Sequence, residues 1–128
     1  MTTDSPTPQI DERFRPDIDL AHEAVDLLAD RQVSDIVLLD LTALGAFADY
    51  FVIGTVDNIR QARAAVDAVQ GGLKIKGARI KPEGNPESGW VLLDTLEGVI
   101  VHLFLLEDRA RYDLEGLWGR AQEVARVQ

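Results

Sequence analysis

The sequence predicts a single α/β domain with a mixed, roughly five-stranded sheet flanked by helices and preceded by a disordered N-terminal arm. Short apolar segments rich in branched residues recur along the chain, as in buried strands. They alternate with two longer segments in which apolar residues recur at helical spacing. With 128 residues, the chain can form one domain with a substantial core but not two complete domains. We assign residues 1–16 to the arm, 17–120 to the domain and 121–128 to a C-terminal tail.

The first half of the chain predicts an arm, a helix and two strands. Residues 1–16 contain three prolines and few apolar side chains, which indicates a disordered arm. A helix is expected from Asp17, a plausible N-cap, to about Arg31. Its predicted buried stripe comprises Ala21, Ala24, Val25 and Leu28. Branched apolar runs at 36–39 and 49–54 then predict two strands.

The second half predicts a long helix and three more strands. Asp57 and Asn58 can cap the helix, while Gly71 and Gly72 weaken its last turn and leave its end open. A short strand is expected near 78–81, followed by a turn rich in proline and glycine. Two further strands, 90–94 and 99–104, are joined by a turn around Glu97 and Gly98, and one or two short helices begin at Glu107.

The strand that begins at Trp90 is the most informative segment. Because side chains alternate across a sheet, Trp90, Leu92 and Asp94 share one face, and the residues between them share the other. Both faces are largely apolar, so this strand either packs on two sides or keeps one face for a partner. Three or four helices, two of them short, are few for covering both faces of the sheet, and a bare face that carries Trp90 would be an interaction surface. The alternative, that Trp90 belongs to the core, is equally compatible with the sequence.

Charge and composition narrow the function classes. The formal net charge is −9, and residues 1–30 hold eight acidic and two basic residues. This excess of negative charge disfavours binding to the phosphate backbone of nucleic acids and favours binding to a basic protein surface. It is equally explained by a contribution to solubility. The chain has no cysteine, which excludes disulfides, thiolate zinc sites and thiol catalysis. No apolar run has the roughly 20 residues of a membrane span, and no secretory segment is recognisable, so a cytoplasmic protein without membrane contact is expected.

Signatures of catalysis are weak throughout. Of the two histidines, His22 is expected on an exposed helix face, and His102 lies in an apolar strand where a structural, hydrogen-bonded role is favoured. No nucleophile elbow or phosphate-binding glycine motif is present. The acidic pairs Asp17/Asp19 and Asp113/Glu115 are better explained by helix capping or exposure. We therefore expect no catalytic residue, no metal site and no cofactor.

The terminal helices are predicted to pack on the sheet. Leu114, Leu117 and Trp118 can form an apolar stripe and are assigned to the core. Arg109 is expected to form an exposed pair with Asp113, worth under about 1 kcal/mol.

Several motifs together resemble the ribosomal silencing factor, or Iojap-like, family over residues 18–118. They are the following segments, in this order: Asp49-Tyr-Phe-Val-Ile53, Arg60-Gln61, Glu83-Gly84, Trp90-Val-Leu-Leu-Asp94, Val101-His-Leu-Phe104, Arg109, Tyr112, Leu114-Glu115 and Leu117-Trp118. The resemblance implies a fold similar to nucleotidyltransferases. It also implies a protein that binds the large ribosomal subunit through universal large-subunit ribosomal protein fourteen, blocks joining of the small subunit and represses translation under nutrient limitation. Such enzymes follow a glycine turn, here Gly54-Thr55, with metal-binding carboxylates on the next strand, but residues 78–82 contain no carboxylate. The turn at 95–98 also departs from the family pattern.

The residues and the resemblance both favour a partner-binding module. Trp90 and Leu92 are the predicted apolar anchors, and Asp94 and Glu97 are the acidic rim that would pair with lysine or arginine. Tyr112 either adds an aromatic contact or packs its helix on the sheet. Two other functions stay open: a nucleotide-binding enzyme of the nucleotidyltransferase type, and a homodimeric scaffold that pairs through the Trp90 face.

Overall fold

The computed structural model describes residues 16–128, so the predicted arm lies almost wholly outside the described residues. These residues form one α/β domain. Its elements in chain order are α1 (Ile18–Asp30), β1 (Ser34–Asp40), β2 (Tyr50–Val56), α2 (Ile59–Ile75), β3 (Lys81–Asn85), β4 (Trp90–Asp94), β5 (Val99–Leu105), α3 (Leu106–Tyr112), α4 (Leu114–Leu117) and β6 (Gln122–Val127).

The sheet is mixed, which confirms the predicted fold class. Its strand order is β3-β4-β5-β2-β1-β6, with β2 and β5 parallel and every other neighbouring pair antiparallel. The described chain forms six strands, one more than the sequence predicts, because residues 121–128 are not a tail but contain β6. The prediction missed β6 because it is an edge strand whose side chains are mostly exposed, so it has no apolar run.

The strand expected near 78–81 lies further along the chain. It spans Lys81–Asn85 and includes Pro82 and Gly84, which the sequence analysis placed in a turn. All five residues are exposed, and among the described strands β3 pairs only with β4. Proline has no N–H to donate, and an edge strand tolerates it because one side needs no partner. The apolar pattern could not reveal a strand with this composition.

Both long helices begin where their caps predict. The Asp17 carboxylate accepts a hydrogen bond from the Leu20 N–H at 2.9 Å, and the Asn58 side chain accepts from the Gln61 N–H at 2.8 Å. The predicted stripe of α1 is buried. Helix α2 continues through both glycines to Ile75. At Gly72, an added Cβ would lie 2.6 Å from the Leu27 side chain of α1, so glycine allows the two helices to approach closely here.

We expect Gly71→Ala to stabilise the protein by about 0.5–1 kcal/mol. Nothing lies within 4 Å of the position that a Cβ would take at Gly71, and alanine reduces the conformational entropy of the unfolded chain. Urea unfolding would measure the change. Gly72→Ala is the matched control, because the contact with Leu27 should cancel the gain. Equal stabilisation by both substitutions would contradict this account of the helix contact.

The two faces of the sheet are covered differently. Helices α1 and α2 pack on one face and close the larger core, which includes Leu28, Ile36 and Leu93. The second core, which includes Phe51 and Phe104, lies on the opposite face. There the covering elements are the short helices α3 and α4 and the connector 41–48. This face therefore has less helical cover, as the count of predicted helices indicated.

Candidate protein-binding surface

Strand β4 presents Trp90 to the less covered face. Trp90, Leu92 and Asp94 are half-buried, whereas Val91 and Leu93 are buried, which confirms the predicted alternation. On the neighbouring strand β5, the residues opposite Trp90 and Leu92 are Phe104 and His102.

The indole of Trp90 is held in one orientation by its neighbours. Its ring centroid lies 5.1 Å from that of Phe104 and 4.7 Å from that of Tyr112. Its Nε1–H donates a hydrogen bond to Nδ1 of His102 at 3.2 Å. Trp90 thus contributes to the packing of the sheet and is still partly accessible to solvent.

A groove of about 300 Å³ lies beside this ring, and we call it the Trp90 groove. It is lined by Glu83, Gly84, Ser88, Trp90, Leu92 and Tyr112. Gly84 has a φ of 76°, and an added Cβ would lie 2.6 Å from the Trp90 carbonyl oxygen, so only glycine fits there without strain. Tyr112 packs on Trp90 and is also 45% exposed. The groove therefore combines an apolar floor with one carboxylate, that of Glu83.

The predicted acidic rim is partly engaged within the protein. The Asp94 carboxylate accepts a hydrogen bond from the Leu96 N–H at 2.8 Å and so holds the turn between β4 and β5. Glu97 is exposed in that turn. The structure adds Glu83, an exposed carboxylate opposite Leu92 on β3. Sequence reasoning missed Glu83 as a rim residue because it placed this segment in a turn rather than beside β4.

A second apolar patch lies on the same face. Trp118 is half-buried against Phe51 and Phe47, with ring centroids 5.8 Å and 6.1 Å apart. Phe47 is 74% exposed and Leu117 is 73% exposed. Leu114 is buried as predicted, but the assignment of Leu117 to the core is wrong, because Leu114 and Trp118 face the second core and leave Leu117 in solvent. No apolar periodicity marks Phe47, so the sequence offered no signal for it.

His102 lies beneath Trp90 as a buried, neutral side chain. It is 2% exposed, and burial lowers its pKa to about 3. Because Nδ1 accepts from Trp90, the ring proton lies on Nε2, which has no hydrogen-bond partner among the described residues. The ring meets Phe51 edge-on, with centroids 4.5 Å apart. The structural, hydrogen-bonded role predicted for His102 is confirmed.

The buried His102 predicts a loss of stability in mild acid. The unfolded chain binds a proton at this side chain below about pH 6.5, whereas the folded chain resists protonation down to about pH 3. The unfolded state therefore binds more protons, and the free energy of unfolding should fall as the pH drops from 6.5, approaching about 1.4 kcal/mol per pH unit. Urea unfolding between pH 7.5 and 5 would measure this slope. His102→Gln should reduce it and His22→Gln should not; an unchanged slope in the former would disprove the assignment.

Arg109 forms a buried network instead of the exposed pair predicted with Asp113. Its guanidinium is 7% exposed and donates to both carboxylate oxygens of Glu115, at 3.1 and 3.0 Å. It also donates to the Asp35 carbonyl at 2.6 Å and to the Thr55 hydroxyl at 2.8 Å. Asp113 instead caps α4 by accepting from the Gly116 N–H at 3.1 Å. The spacing of four residues favoured the wrong acid because the chain turns sharply at Asp113, which has a φ of 47°.

The strand end at Gly54 and Thr55 is filled by the protein itself. A Cβ added at Gly54 would lie 2.5 Å from the Val33 side chain. The Thr55 hydroxyl is occupied by Arg109. Among residues 16–128, no group of three or more histidine, cysteine or acidic side chains is arranged to hold a metal ion. In the same part of the chain, no helix is long and apolar enough to cross a membrane.

Comparisons with known proteins place the chain in a family. The family described as ribosomal silencing factor during starvation matches residues 15–128. A ribosomal silencing factor RsfS from Halalkalibacterium halodurans is 34% identical over 107 residues, which cover 83% of this chain and 91% of that protein. A mouse protein named mitochondrial assembly of ribosomal large subunit protein 1 is 32% identical over 106 residues, covering 80% of this chain and 45% of its own length.

A solved structure agrees with these sequence relatives. A crystal structure of a protein from Chromobacterium violaceum superposes with a TM-score of 0.75 at 35% identity, covering 80% of this chain and 85% of that one. The family match covers all of the described residues, and it therefore includes the Trp90 groove and the Arg109 network. The chain belongs to the ribosomal silencing factor family.

Proposed function

We propose that this protein binds the large ribosomal subunit through universal large-subunit ribosomal protein fourteen and sterically blocks association with the small subunit. Translation would thereby be repressed when nutrients are limited, and the protein would act in the cytoplasm. Membership of the silencing-factor family supports a ribosomal partner. The name of the mouse relative, which refers to assembly of the large ribosomal subunit, supports the choice of subunit.

The Trp90 groove carries the proposal. It offers a fixed indole, an aliphatic side chain and an accessible phenol, and such anchors dominate the energetics of protein interfaces. Glu83 adds an exposed carboxylate to its lining, and Glu97 adds another in the turn after β4. Ribosomal proteins are generally basic, and opposite charge at the rim speeds association and selects the partner. Trp90, Leu92, Asp94, Glu97 and Tyr112 are the residues we propose for this contact.

We propose that the protein is not an enzyme and needs no cofactor. The strand end at Gly54 and Thr55, which corresponds to the glycine turn of nucleotidyltransferases, is filled by Val33 and Arg109. This filling argues against the nucleotide-binding alternative. A homodimeric scaffold would use the same Trp90 face. An experiment must therefore distinguish binding to a ribosomal partner from binding to a second copy of the chain.

The experiment is co-sedimentation with purified large subunits, small subunits and assembled ribosomes, together with a light-scattering assay of subunit joining. We expect binding to large subunits alone, and inhibition of joining. Tyr112→Ala should weaken binding at least tenfold and cost less stability than Trp90→Ala, because the ring is 45% exposed and belongs to the groove. Val127→Ala, at the opposite edge of the sheet, is the control and should bind like the unmodified protein.

Three results would contradict the proposal. Absence of binding to large subunits would remove the ribosomal partner, and binding without inhibition of joining would remove the blocking mechanism. Unchanged binding by Tyr112→Ala would move the contact away from the Trp90 groove. A light-scattering mass of two chains that is halved by Tyr112→Ala would instead support the homodimeric scaffold. Binding to isolated ribosomal protein fourteen would test the named partner directly.

A further inference from the structure

Four basic residues lie close together between the end of α2 and the start of β3, and we call them the basic patch: Lys74, Lys76, Arg79 and Lys81. All four side chains are exposed. None is within ion-pair distance of a carboxylate in the described part of the chain. Between Lys74 and Lys81 the sequence contains no acidic residue.

This patch contrasts with the rest of the molecule. The whole chain has 13 basic and 22 acidic residues, so the patch holds nearly a third of all positive charges in eight consecutive positions. The net charge of −9 is a sum over the whole chain and does not reveal this local positive cluster. Composition alone therefore indicates little contact with nucleic acid. A local concentration of unpaired cations creates an attractive potential for anions even on an acidic protein.

Helix capping explains only part of the patch. Cations in the last turn of a helix are favoured by its dipole, and this accounts for Lys74 and Lys76. Arg79 and Lys81 lie beyond the helix, where the dipole offers no such benefit. Arg79 and Lys74 also share the walls of a shallow groove of about 250 Å³ with Gln70, Ala78 and Ile80. Two of the four basic residues of the patch therefore line a concave surface.

The basic patch and the Trp90 groove lie along the same edge of the sheet. On β3, Asn85 lies opposite Trp90, and Lys81 lies opposite Asp94 at the other end of the strand. The carboxylates of Asp94 and Glu83 also belong to this sheet edge, and neither forms an ion pair with Lys81. Because α2 packs on the opposite face of the sheet, a partner in the groove would reach the rest of the patch by passing around the β3 edge at Lys81.

We infer that the basic patch contacts the phosphate backbone of ribosomal RNA beside the protein partner of the Trp90 groove. This inference rests on the proposed function. The patch contains four cations and no aromatic side chain on which a base could stack. This composition fits contacts to the phosphates of a nucleic-acid backbone, which lysine and arginine bind regardless of base sequence. RNA carries one phosphate per nucleotide, a denser array of negative charge than acidic protein surfaces provide. The protein would thus hold the subunit at two chemically different contacts.

Site-specific crosslinking tests the identity of this partner. Because the chain has no cysteine, Lys76→Cys creates a single attachment site for an azidophenacyl photo-crosslinker. Arg60→Cys is the control, since it lies in the first turn of the same helix, about 21–24 Å away along the axis. After irradiation of the complex with large subunits, we expect position 76 to crosslink to ribosomal RNA and position 60 to give no RNA product. Crosslinks from position 76 to protein alone, or none, would overturn the inference.

Salt dependence gives an independent readout. The double variant Lys76→Gln/Arg79→Gln should bind large subunits several-fold more weakly at low salt. The slope of log K against log salt concentration should become shallower by about 1.4–1.8, the value for two lost phosphate contacts. Arg31→Gln/Arg60→Gln removes two exposed charges near the other end of α2 and should leave both quantities unchanged.

The two proposals fail in distinguishable ways. If the unmodified protein does not sediment with large subunits, the proposed function fails and this inference falls with it. If it sediments and Tyr112→Ala weakens the complex, while the Lys76/Arg79 variant keeps the original affinity and slope, only the inference about RNA fails. A changed slope with crosslinks to protein alone would assign the patch to an acidic protein surface instead of RNA.

Discussion

Trp90→Ala should weaken binding to the large ribosomal subunit by at least about 30-fold, or 2 kcal/mol, the range of a central aromatic anchor. The substitution removes the floor of the Trp90 groove and also the ring on which Tyr112 packs. It should cost stability as well, by about 2 kcal/mol, because the indole contacts Phe104 and donates to His102. Co-sedimentation titrations and urea unfolding measure the two effects separately.

A second variant keeps this prediction testable if Trp90→Ala folds poorly. Trp90→Phe retains an aromatic ring on Phe104 but loses the donor to His102, so it should fold and bind with intermediate affinity. If Trp90→Ala folds cooperatively and still binds like the unmodified protein, the Trp90 groove is not the contact. A loss of binding that only parallels the unfolded fraction would assign Trp90 to the core alone.

Arg109→Ala should destabilise the protein by about 3 kcal/mol, the lower part of the range for removing one partner of a buried ion pair. The substitution leaves the Glu115 carboxylate without its two donors and the Asp35 carbonyl and Thr55 hydroxyl without theirs. Glu115 is partly exposed, so water compensates some of this cost. Thermal and urea unfolding would show the change. Because the network joins the terminal helices to β1 and β2, we also expect α4 to lose its position.

The neighbouring Arg111 offers a matched control. It pairs with Asp108 three residues earlier, but its side chain is 67% exposed. Arg111→Ala should therefore change stability by less than about 0.5 kcal/mol. Arg109→Lys keeps the charge but loses the two-pronged contact with Glu115, and it should fall between the two alanine variants. Equal effects of Arg109→Ala and Arg111→Ala would show that the buried network contributes nothing to stability.

Much of the fold follows from periodicity and caps. The branched runs that became β1, β2, β4 and β5 are buried strands, and such runs are the strongest signal in a single sequence. The two edge strands escaped this reasoning. β3 contains Pro82 and Gly84, and the side chains of β6 are mostly exposed. These two segments form strands because they pair with the neighbouring strands β4 and β1, and not because their own side chains favour a strand.

The candidate site was predictable where it depends on one strand and not where it depends on several. Alternation along β4 correctly grouped Trp90, Leu92 and Asp94. The contact between Trp90 and Tyr112 joins β4 to α3, and the exposure of Phe47 depends on the path of a connector. Arg109 was paired with the wrong acid because a left-handed residue reverses the chain between it and Glu115.

The pairing of β6 with β1 has a consequence for synthesis of the chain. β1 lies near the start of the described residues and β6 near the other end, so one of the last strands to be translated closes the edge of one of the first. Until Gln122–Val127 has left the exit tunnel, β1 has an unpaired side that can hydrogen-bond to other chains. Contacts between such distant segments form slowly because a long loop must close first. A nascent chain stalled before β6 therefore keeps this edge open to aggregation and to capture by chaperones.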